Sequence, residues 1–159
     1  MSYKNFNKDL PASIRNENDI SNKFLEFYGW KTLGRGGKSN KFDLLIQTNK
    51  RQIKVEAKQD FTCKKTGNVG LEYHCRGKPS GINVTESDYY VYTIHRKNEI
   101  VFRIAKTEVL KYMVENNLYH RWVNGGDKGS DSLNYLFTYN VFCTGSSRIF
   151  FEKGTPKIE

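Results

Sequence analysis

The sequence predicts an α/β protein in which helices flank a central mixed β-sheet, and three observations lead to this fold class. Residues 41–60 hold two apolar runs, FDLLI and QIKVEA, separated by a polar turn, and the second run alternates between apolar and charged side chains, which predicts an antiparallel hairpin. Residues 18–29 and 106–117 place apolar side chains at helical spacing. Residues 68–74, 88–95 and 99–105 indicate further strands, so that helices and strands are interleaved along the chain.

Composition and charge indicate a folded protein with a polyanionic partner. At 159 residues the chain suits one domain, which we expect over 16–159 behind a polar N-terminal arm over 1–15. The 37% of hydrophobic residues favours a packed core over disorder. Lys and Arg total 26 against 17 Asp and Glu, and the net charge of +9 points to nucleic acid.

A membrane is not expected as the partner, because no apolar run approaches the roughly 20 residues that a spanning helix needs. The N-terminus, MSYKNFNKDL, lacks the apolar core of a signal peptide. Cys63, Cys75 and Cys143 are odd in number and lack C-x-x-C spacing, so neither a disulfide scaffold nor a zinc site is expected. We therefore expect a reducing, cytoplasmic location.

The first helix is expected to begin near Asn18, because residues 1–15 are polar and aperiodic and Pro11 predicts a break. Asn16 or Asn18 can cap this helix and Gly29 can end it. Its apolar stripe consists of Ile20, Phe24, Phe27 and Tyr28.

Residues 31–41, KTLGRGGKSNK, predict a flexible basic loop. The segment does not have the form G-x-x-x-x-G-K-[ST], so it is not a nucleotide-binding phosphate loop. Arg35, Lys38 and Lys41 are candidates for contact with a nucleic-acid backbone. A plain solvated loop is the alternative.

The hairpin predicted over 41–60 has the strands FDLLI and QIKVEA, which flank a polar turn. Side chains on a strand repeat every two residues, so Glu56 and Lys58 project from the same face. Asp43, near the start of the first strand, can lie across the hairpin from them. Two carboxylates and a lysine would then converge on one face of the sheet.

This convergence predicts metal-assisted hydrolysis of phosphodiester bonds. Carboxylate oxygens suit Mg²⁺, which completes its coordination with waters and substrate phosphate. Lys58 could orient a water or neutralise charge that develops on the phosphate. The alternative is a solvated strand face, because Glu-x-Lys also arises by chance in a lysine-rich chain.

The order Asp43, Glu56, Ala57, Lys58 on successive strands resembles the D…(D/E)-x-K signature of the PD-(D/E)XK nuclease superfamily. The resemblance covers about residues 18–103, and Phe42 stands at the variable proline position. It implies a restriction-endonuclease-like core and a Mg²⁺-dependent endonuclease acting on DNA, in a restriction, resolvase or homing role, with Mn²⁺ able to substitute. Asp43 and Glu56 would bind the metal, and Lys58 would orient or activate the attacking water.

The resemblance implies further candidates. Glu26 lies on the helix before the first strand, where related nucleases often carry a glutamate that supports the metal site. Gln59 follows the lysine, as a glutamine does in some branches. Residues 66–90 resemble small phage-type members, which implies a short helix at 85–88 and a phage origin in a bacterial host. One site per chain implies either a homodimer or two sequential nicks for a double-strand cut.

The alternation in Asn68–His74 predicts a third strand next to the hairpin. Glu72 would then lie beside Glu56 as an additional metal ligand, or it would pair with a neighbouring lysine. The basic turn that follows, RGKPSG, offers Arg76, Lys78 and Ser80 for phosphate contacts that fix position rather than sequence.

In the second half of the chain we expect strands at 88–95 and 99–105 and a helix at 106–117 with Thr107 as N-cap. Residues 120–131 predict a loop, in which Arg121 contacts phosphate and Trp122 stacks on a base. Short closing strands are expected at 133–143 and 148–151.

Two other function classes are consistent with the sequence. A non-catalytic nucleic-acid-binding module would bind without a divalent ion, and its affinity would fall steeply with salt. A structure-specific RNase would cleave RNA and not DNA when both substrates are offered side by side.

Overall fold

Two β-sheets carry the fold of the protein, whose computed structural model describes residues 3–37, 41–125, 131–146 and 149–150. The helices are α1 (Tyr3–Tyr28), α2 (Cys63–Thr66), α3 (Thr107–Glu115) and α4 (Tyr139–Ser146), with a 3₁₀ turn at Gly81–Asn83. The strands are β1 (Lys31–Arg35), β2 (Leu44–Gln47), β3 (Gln52–Asp60), β4 (Asn68–Cys75), β5 (Lys78–Pro79), β6 (Tyr89–His95), β7 (Ile100–Lys106), β8 (Arg121–Gly125), β9 (Ser132–Thr138) and β10 (Ile149–Phe150).

The larger sheet is mixed and has the strand order β1-β2-β3-β6-β7-β10. Its β3 and β6 are parallel, whereas its other neighbours are antiparallel. The smaller sheet, β5-β4-β9-β8, is antiparallel. The predicted fold class, an α/β protein with a mixed sheet flanked by helices, is confirmed. The predicted hairpin is confirmed as β2 and β3, in the register Leu44↔Val55 to Gln47↔Gln52.

The larger sheet is covered on both faces. Because side chains alternate along a strand, odd and even residues of β3 project from opposite faces. Ile53 and Val55 of β3 pack with the predicted apolar stripe of α1. On the other face, Tyr90 and Tyr92 of β6 pack against the smaller sheet, α3 and α4. Glu56 and Lys58 therefore belong to the face that is turned towards the smaller sheet.

β4 is a strand, as predicted, but it does not lie beside β3, so the expected three-strand meander is wrong. An alternating pattern identifies a strand but does not specify which other strand it pairs with. The Asp60 carboxylate turns the chain away from the larger sheet, since its oxygens accept hydrogen bonds from the backbone N–H groups of Thr62, Cys63 and Gly70. Gly67 then ends α2 with a φ of 72°. The place next to β3 is taken by β6.

α1 begins at Tyr3, so the extended arm and the helix break at Pro11 are wrong over the described residues. A proline removes one hydrogen bond from a helix, but extending an existing helix costs less than nucleating a new one. Asn16 is a buried residue rather than a cap, and its Oδ1 accepts a hydrogen bond of 2.8 Å from the Thr93 hydroxyl. Gly29 ends the helix as predicted, with a φ of 72°.

Several segments expected as loops are strands. Residues 31–35 form β1, whose side chains are all exposed, and 121–125 form β8 at the far edge of the smaller sheet. Edge strands of this kind bury little of either face, so they lack the alternation that identifies a strand.

Three other local predictions need correction. The 3₁₀ turn is at 81–83 rather than at 85–88. Of the strand expected at 133–143, residues 133–138 lie in β9, but 139–143 belong to the helix α4. The N-cap of α3 is Lys106, so Thr107 is its first helical residue. The closing strand expected at 148–151 is confirmed for residues 149–150, which form β10, and Arg148 and Phe151 lie outside the described residues.

In the part of the chain that the structure describes, no helix is both long enough and apolar enough to cross a membrane.

The buried hydrogen bond between Thr93 and Asn16 ties α1 to β6, so we expect Thr93→Val to destabilise the fold. The variant leaves the Asn16 carbonyl oxygen buried without its donor, which costs about 1–3 kcal/mol in the free energy of unfolding. Urea unfolding measures this loss. Thr32→Val on the exposed strand β1 is the control and should change stability by less than about 0.5 kcal/mol. An equal loss in both variants would contradict the packing described for α1.

Candidate active site

Glu56 and Lys58 project from the middle of β3 as a close pair of opposite charges. The Lys58 Nζ lies 3.4 Å from the Glu56 Oε1, and the two side chains are 36% and 16% exposed. The lysine therefore keeps access to solvent while the carboxylate is mostly shielded. A hydroxyl on the loop before β6, that of Ser87, donates a hydrogen bond of 3.3 Å to the Glu56 Oε2.

Asp43 lies just before β2, where pairing with β3 stops. Its backbone N–H donates to the Val55 carbonyl at 2.9 Å, and its side-chain Oδ2 accepts a hydrogen bond of 2.8 Å from the Ala57 N–H. The hairpin register, continued by one residue, brings Asp43 to the level of Glu56. The predicted convergence of Asp43 and Glu56 is therefore present at this end of the hairpin.

The two carboxylates line one cleft of about 300 Å³. The other residues that line it are Gly36, Gly37, Lys41, Phe42, Gly81, Val84 and Thr85. Two of the glycines let the walls approach closely. A Cβ at Gly36 would meet the Phe42 carbonyl oxygen at 1.9 Å, and one at Gly81 would meet the Glu72 carbonyl oxygen at 2.0 Å. Neither position can take a side chain without moving the backbone of the cleft.

Burial and charge make the cleft unfavourable for another negative charge. Burial raises the pKa of Glu56, the Lys58 ammonium opposes this shift, and Asp43 adds to it. Burial also raises the pKa of Tyr90, the residue of β6 that pairs with Glu56, and the charge of Glu56 contributes next. A cation bound between the carboxylates would relieve this repulsion.

Glu17 on α1 is a carboxylate near the site that the sequence interpretation missed. Burial raises the pKa of Glu17, the nearby charge of Asp43 raises it further, and Arg35 lowers it. Its Oε2 lies 3.2 Å from the Arg35 Nη1. One turn back from Ile20 lie Asn16 and Glu17, but the helix predicted from the sequence begins at Asn18 and so does not include them.

Glu26, the helix glutamate selected from the sequence, is exposed, and no hydrogen bond or ion pair within the described residues links it to the cleft. Glu26 and its neighbour Leu25 are both exposed, so neither belongs to the buried stripe of α1. The structure therefore brings Glu17, and not Glu26, towards Asp43.

Glu72 is engaged within the smaller sheet. One carboxylate oxygen accepts a hydrogen bond of 3.0 Å from Ser80, and the other accepts one of 2.7 Å from Ser132. Over the described residues, no group of three or more His, Cys, Asp and Glu side chains is placed to hold a metal ion. The expected position of Glu72 beside Glu56 on a neighbouring strand is wrong, because β4 belongs to the other sheet.

The predicted phosphate contacts are in different settings. Lys41 is exposed and lines the cleft, and Lys38 lies outside the described residues. Arg35 is held by Glu17 and Asn18 of α1. The Ser80 hydroxyl is engaged by Glu72, as described above.

None of the remaining candidates is among the residues that line the cleft. Arg76 and Lys78 are exposed at the turn into β5, and Arg121 is exposed on the edge strand β8. The Gln59 Nε2 lies 3.0 Å from the His95 Nε2. Because the side chains of a strand alternate, Gln59 projects from the face opposite to Glu56 and Lys58.

Comparisons of the chain with protein-family models, with curated proteins and with solved structures find no match.

The raised pKa of Glu56 has a consequence for stability in the absence of metal. At pH values above this pKa the folded protein carries a buried charge that the unfolded chain solvates fully, so ionisation costs stability. Glu56→Gln should therefore raise the Tm in EDTA at pH 8. The difference from wild type should shrink as the pH falls towards 4 and Glu56 becomes neutral in both states. Differential scanning calorimetry across this range measures it, and a Tm gain that does not depend on pH would contradict the assigned cause.

Proposed function

We propose that this chain is a Mg²⁺-dependent endonuclease that hydrolyses phosphodiester bonds in DNA and is built on a restriction-endonuclease-like core. The observation that carries the proposal is the meeting of Asp43 and Glu56 at one cleft, with the Lys58 ammonium 3.4 Å from Glu56. Glu56 and Lys58 lie on β3, and Asp43 directly precedes the neighbouring strand β2, in a mixed sheet that is packed on a preceding helix. This arrangement supports the resemblance to the PD-(D/E)XK signature.

The donor set suits Mg²⁺ rather than a softer metal. Asp43 and Glu56 offer carboxylate oxygens, and no histidine or cysteine is among the described residues that line the cleft. Mg²⁺ is commonly held by one or two carboxylates and takes its other ligands from water and substrate phosphate, so a third protein ligand is not required. When bound, the cation would stabilise charge on the phosphate and acidify a water.

The chain's own residues supply orientation and electrostatic stabilisation. The Ala57 N–H fixes the Asp43 carboxylate by a hydrogen bond to one oxygen, which leaves the other oxygen for a ligand. Lys58 keeps about a third of its side chain exposed, so its ammonium can reach a water or a phosphate oxygen beside Glu56. Ser87 restrains the second oxygen of Glu56.

Charge supports a nucleic-acid substrate. The chain carries a net charge of +9, and Lys41 places a basic side chain at the cleft itself. Arg76 and Lys78 add exposed basic groups at the turn after β4. Since the described part of the chain offers one such cleft, a double-strand cut would need a homodimer or two successive nicks.

The Lys58 variant tests the proposed chemistry. Lys58→Ala should lower the cleavage rate by about a hundredfold or more, because it removes a group that stabilises transition-state charge. The assay offers supercoiled plasmid, a four-way junction and a matched RNA in Mg²⁺, Mn²⁺ and EDTA. Binding of DNA should stay close to wild type, and calorimetry checks that the variant is folded at the assay temperature.

Lys54→Ala is the matched control, since Lys54 lies on the same face of β3 but packs over the Phe42 ring. It should retain cleavage. Undiminished metal-dependent cleavage by Lys58→Ala would refute the assignment. Cleavage of the RNA alone would show that the enzyme is an RNase rather than a DNase. Salt-sensitive binding without cleavage would favour a non-catalytic binding module.

The two helix glutamates give a second test. We assign the supporting carboxylate to Glu17, because the charge of Asp43 contributes to its raised pKa whereas Glu26 is exposed. Glu17→Gln should raise the Mg²⁺ concentration for half-maximal cleavage by about tenfold, a typical effect of removing a group that orients metal ligands. Glu26→Gln should leave it unchanged. The reverse order of the two effects would show that the helix contributes through Glu26.

A further inference from the structure

A second cavity, which we call the basic groove, lies where β3 and β6 end. It measures about 590 Å³ and is lined by α2 with Gly67 on one side and by the β6–β7 turn, residues 96–99, on the other. Its basic side chains are Lys64, Lys65, Arg96 and Lys97, and Glu99 is the acidic one. Parallel strands end at the same edge of a sheet, so the pairing of β3 with β6 brings these two segments together.

The positive charge of the basic groove is largely uncompensated. Lys64, Lys65 and Lys97 are exposed, and no ion pair within the described residues involves any of them. Glu99 is 3.8 Å from Arg96, and its side chain is 60% exposed. The Arg96 guanidinium also lies 3.7 Å from the centre of the Tyr139 ring, which holds it at the groove wall.

The basic groove and the cleft lie along the same strand. β3 ends at Asp60, two residues beyond Lys58, and α2 begins at Cys63. At about 3.3 Å per residue, the end of the strand is about 7 Å from Lys58. The Asp60 carboxylate at this end of the strand is occupied by the backbone N–H groups of Thr62, Cys63 and Gly70. A polyanion that continues along β3 past Lys58 would reach the basic groove.

We propose that the basic groove binds the sugar–phosphate backbone of the same nucleic acid that enters the cleft, a few nucleotides from the scissile bond. The proposal rests on the proposed function in taking DNA as the partner. Exposed lysines without acidic partners suit mobile contacts to phosphate oxygens, which position a duplex without reading its sequence. The groove residues would thus add affinity and hold the strand in line with Lys58.

The test removes two groove charges and measures binding rather than cleavage. Lys64→Gln/Lys65→Gln is compared with Lys31→Gln/Lys50→Gln, which removes two exposed lysines at the opposite end of the β2–β3 hairpin. Fluorescence anisotropy with a labelled DNA duplex in Ca²⁺ gives the affinity from 50 to 300 mM salt. The groove variant should bind about tenfold more weakly near 150 mM salt, and its slope of log K against log salt should be shallower by about 1.8, as expected for two lost phosphate contacts. The control should keep the wild-type slope.

The two proposals fail separately in this design. Unchanged affinity and slope in the groove variant would overturn the basic groove even if Mg²⁺-dependent cleavage is observed, and the same holds if the control pair loses as much. The predicted change in slope would support the groove even if the wild-type protein cuts no substrate, in which case the nuclease assignment alone fails. Calorimetric Tm values serve to check that both double variants are folded.

Discussion

The hydrogen bond from the Ala57 N–H to the Asp43 carboxylate is the contact on which the candidate site depends. The pairing of β2 with β3 reaches only as far as the hydrogen bond from the Asp43 N–H to the Val55 carbonyl, whereas β3 itself continues to Asp60. A free N–H on β3 would need another partner at this point, and the carboxylate supplies it. The same bond holds an acidic side chain at the level of Glu56. The end of a β-ladder thus becomes a place where two negative groups are kept together.

Keeping these charges together has an energetic cost that the surrounding structure offsets only in part. Burial raises the pKa of Glu56 although Lys58 opposes the shift, and burial together with the charge of Asp43 raises the pKa of Glu17. Sites that bind cations commonly combine such groups, since the ligand supplies the missing positive charge. The fold contributes the core that holds the carboxylates in place, with α1 packed on one face of β3 and the smaller sheet facing the other.

The sequence predicted those parts of the fold and the site that depend on local periodicity. Alternation along β3 placed Glu56 and Lys58 on one face, and the hairpin brought Asp43 to them. Pairing between distant strands was not predictable in this way. The alternation in β4 would suit a strand of either sheet. Tertiary contacts such as the hydrogen bond from Gly70 to Asp60 separate β4 from β3, and this separation fixes the position of Glu72. Glu17 was missed because the first helix was predicted to begin at Asn18, whereas α1 begins at Tyr3 and includes Glu17.

The central claim is that Asp43 and Glu56 together form a site for a divalent cation, and direct binding of Mn²⁺ tests it without relying on catalysis. Electron paramagnetic resonance follows the signal of free Mn²⁺ during titration with protein and a non-hydrolysable phosphorothioate duplex. Wild type should remove the signal saturably, whereas Asp43→Asn/Glu56→Gln should leave it near the level of buffer with duplex, at an unchanged Tm or a higher one. Equal Mn²⁺ binding by the folded double variant would contradict the claim and would place any metal site elsewhere in the chain.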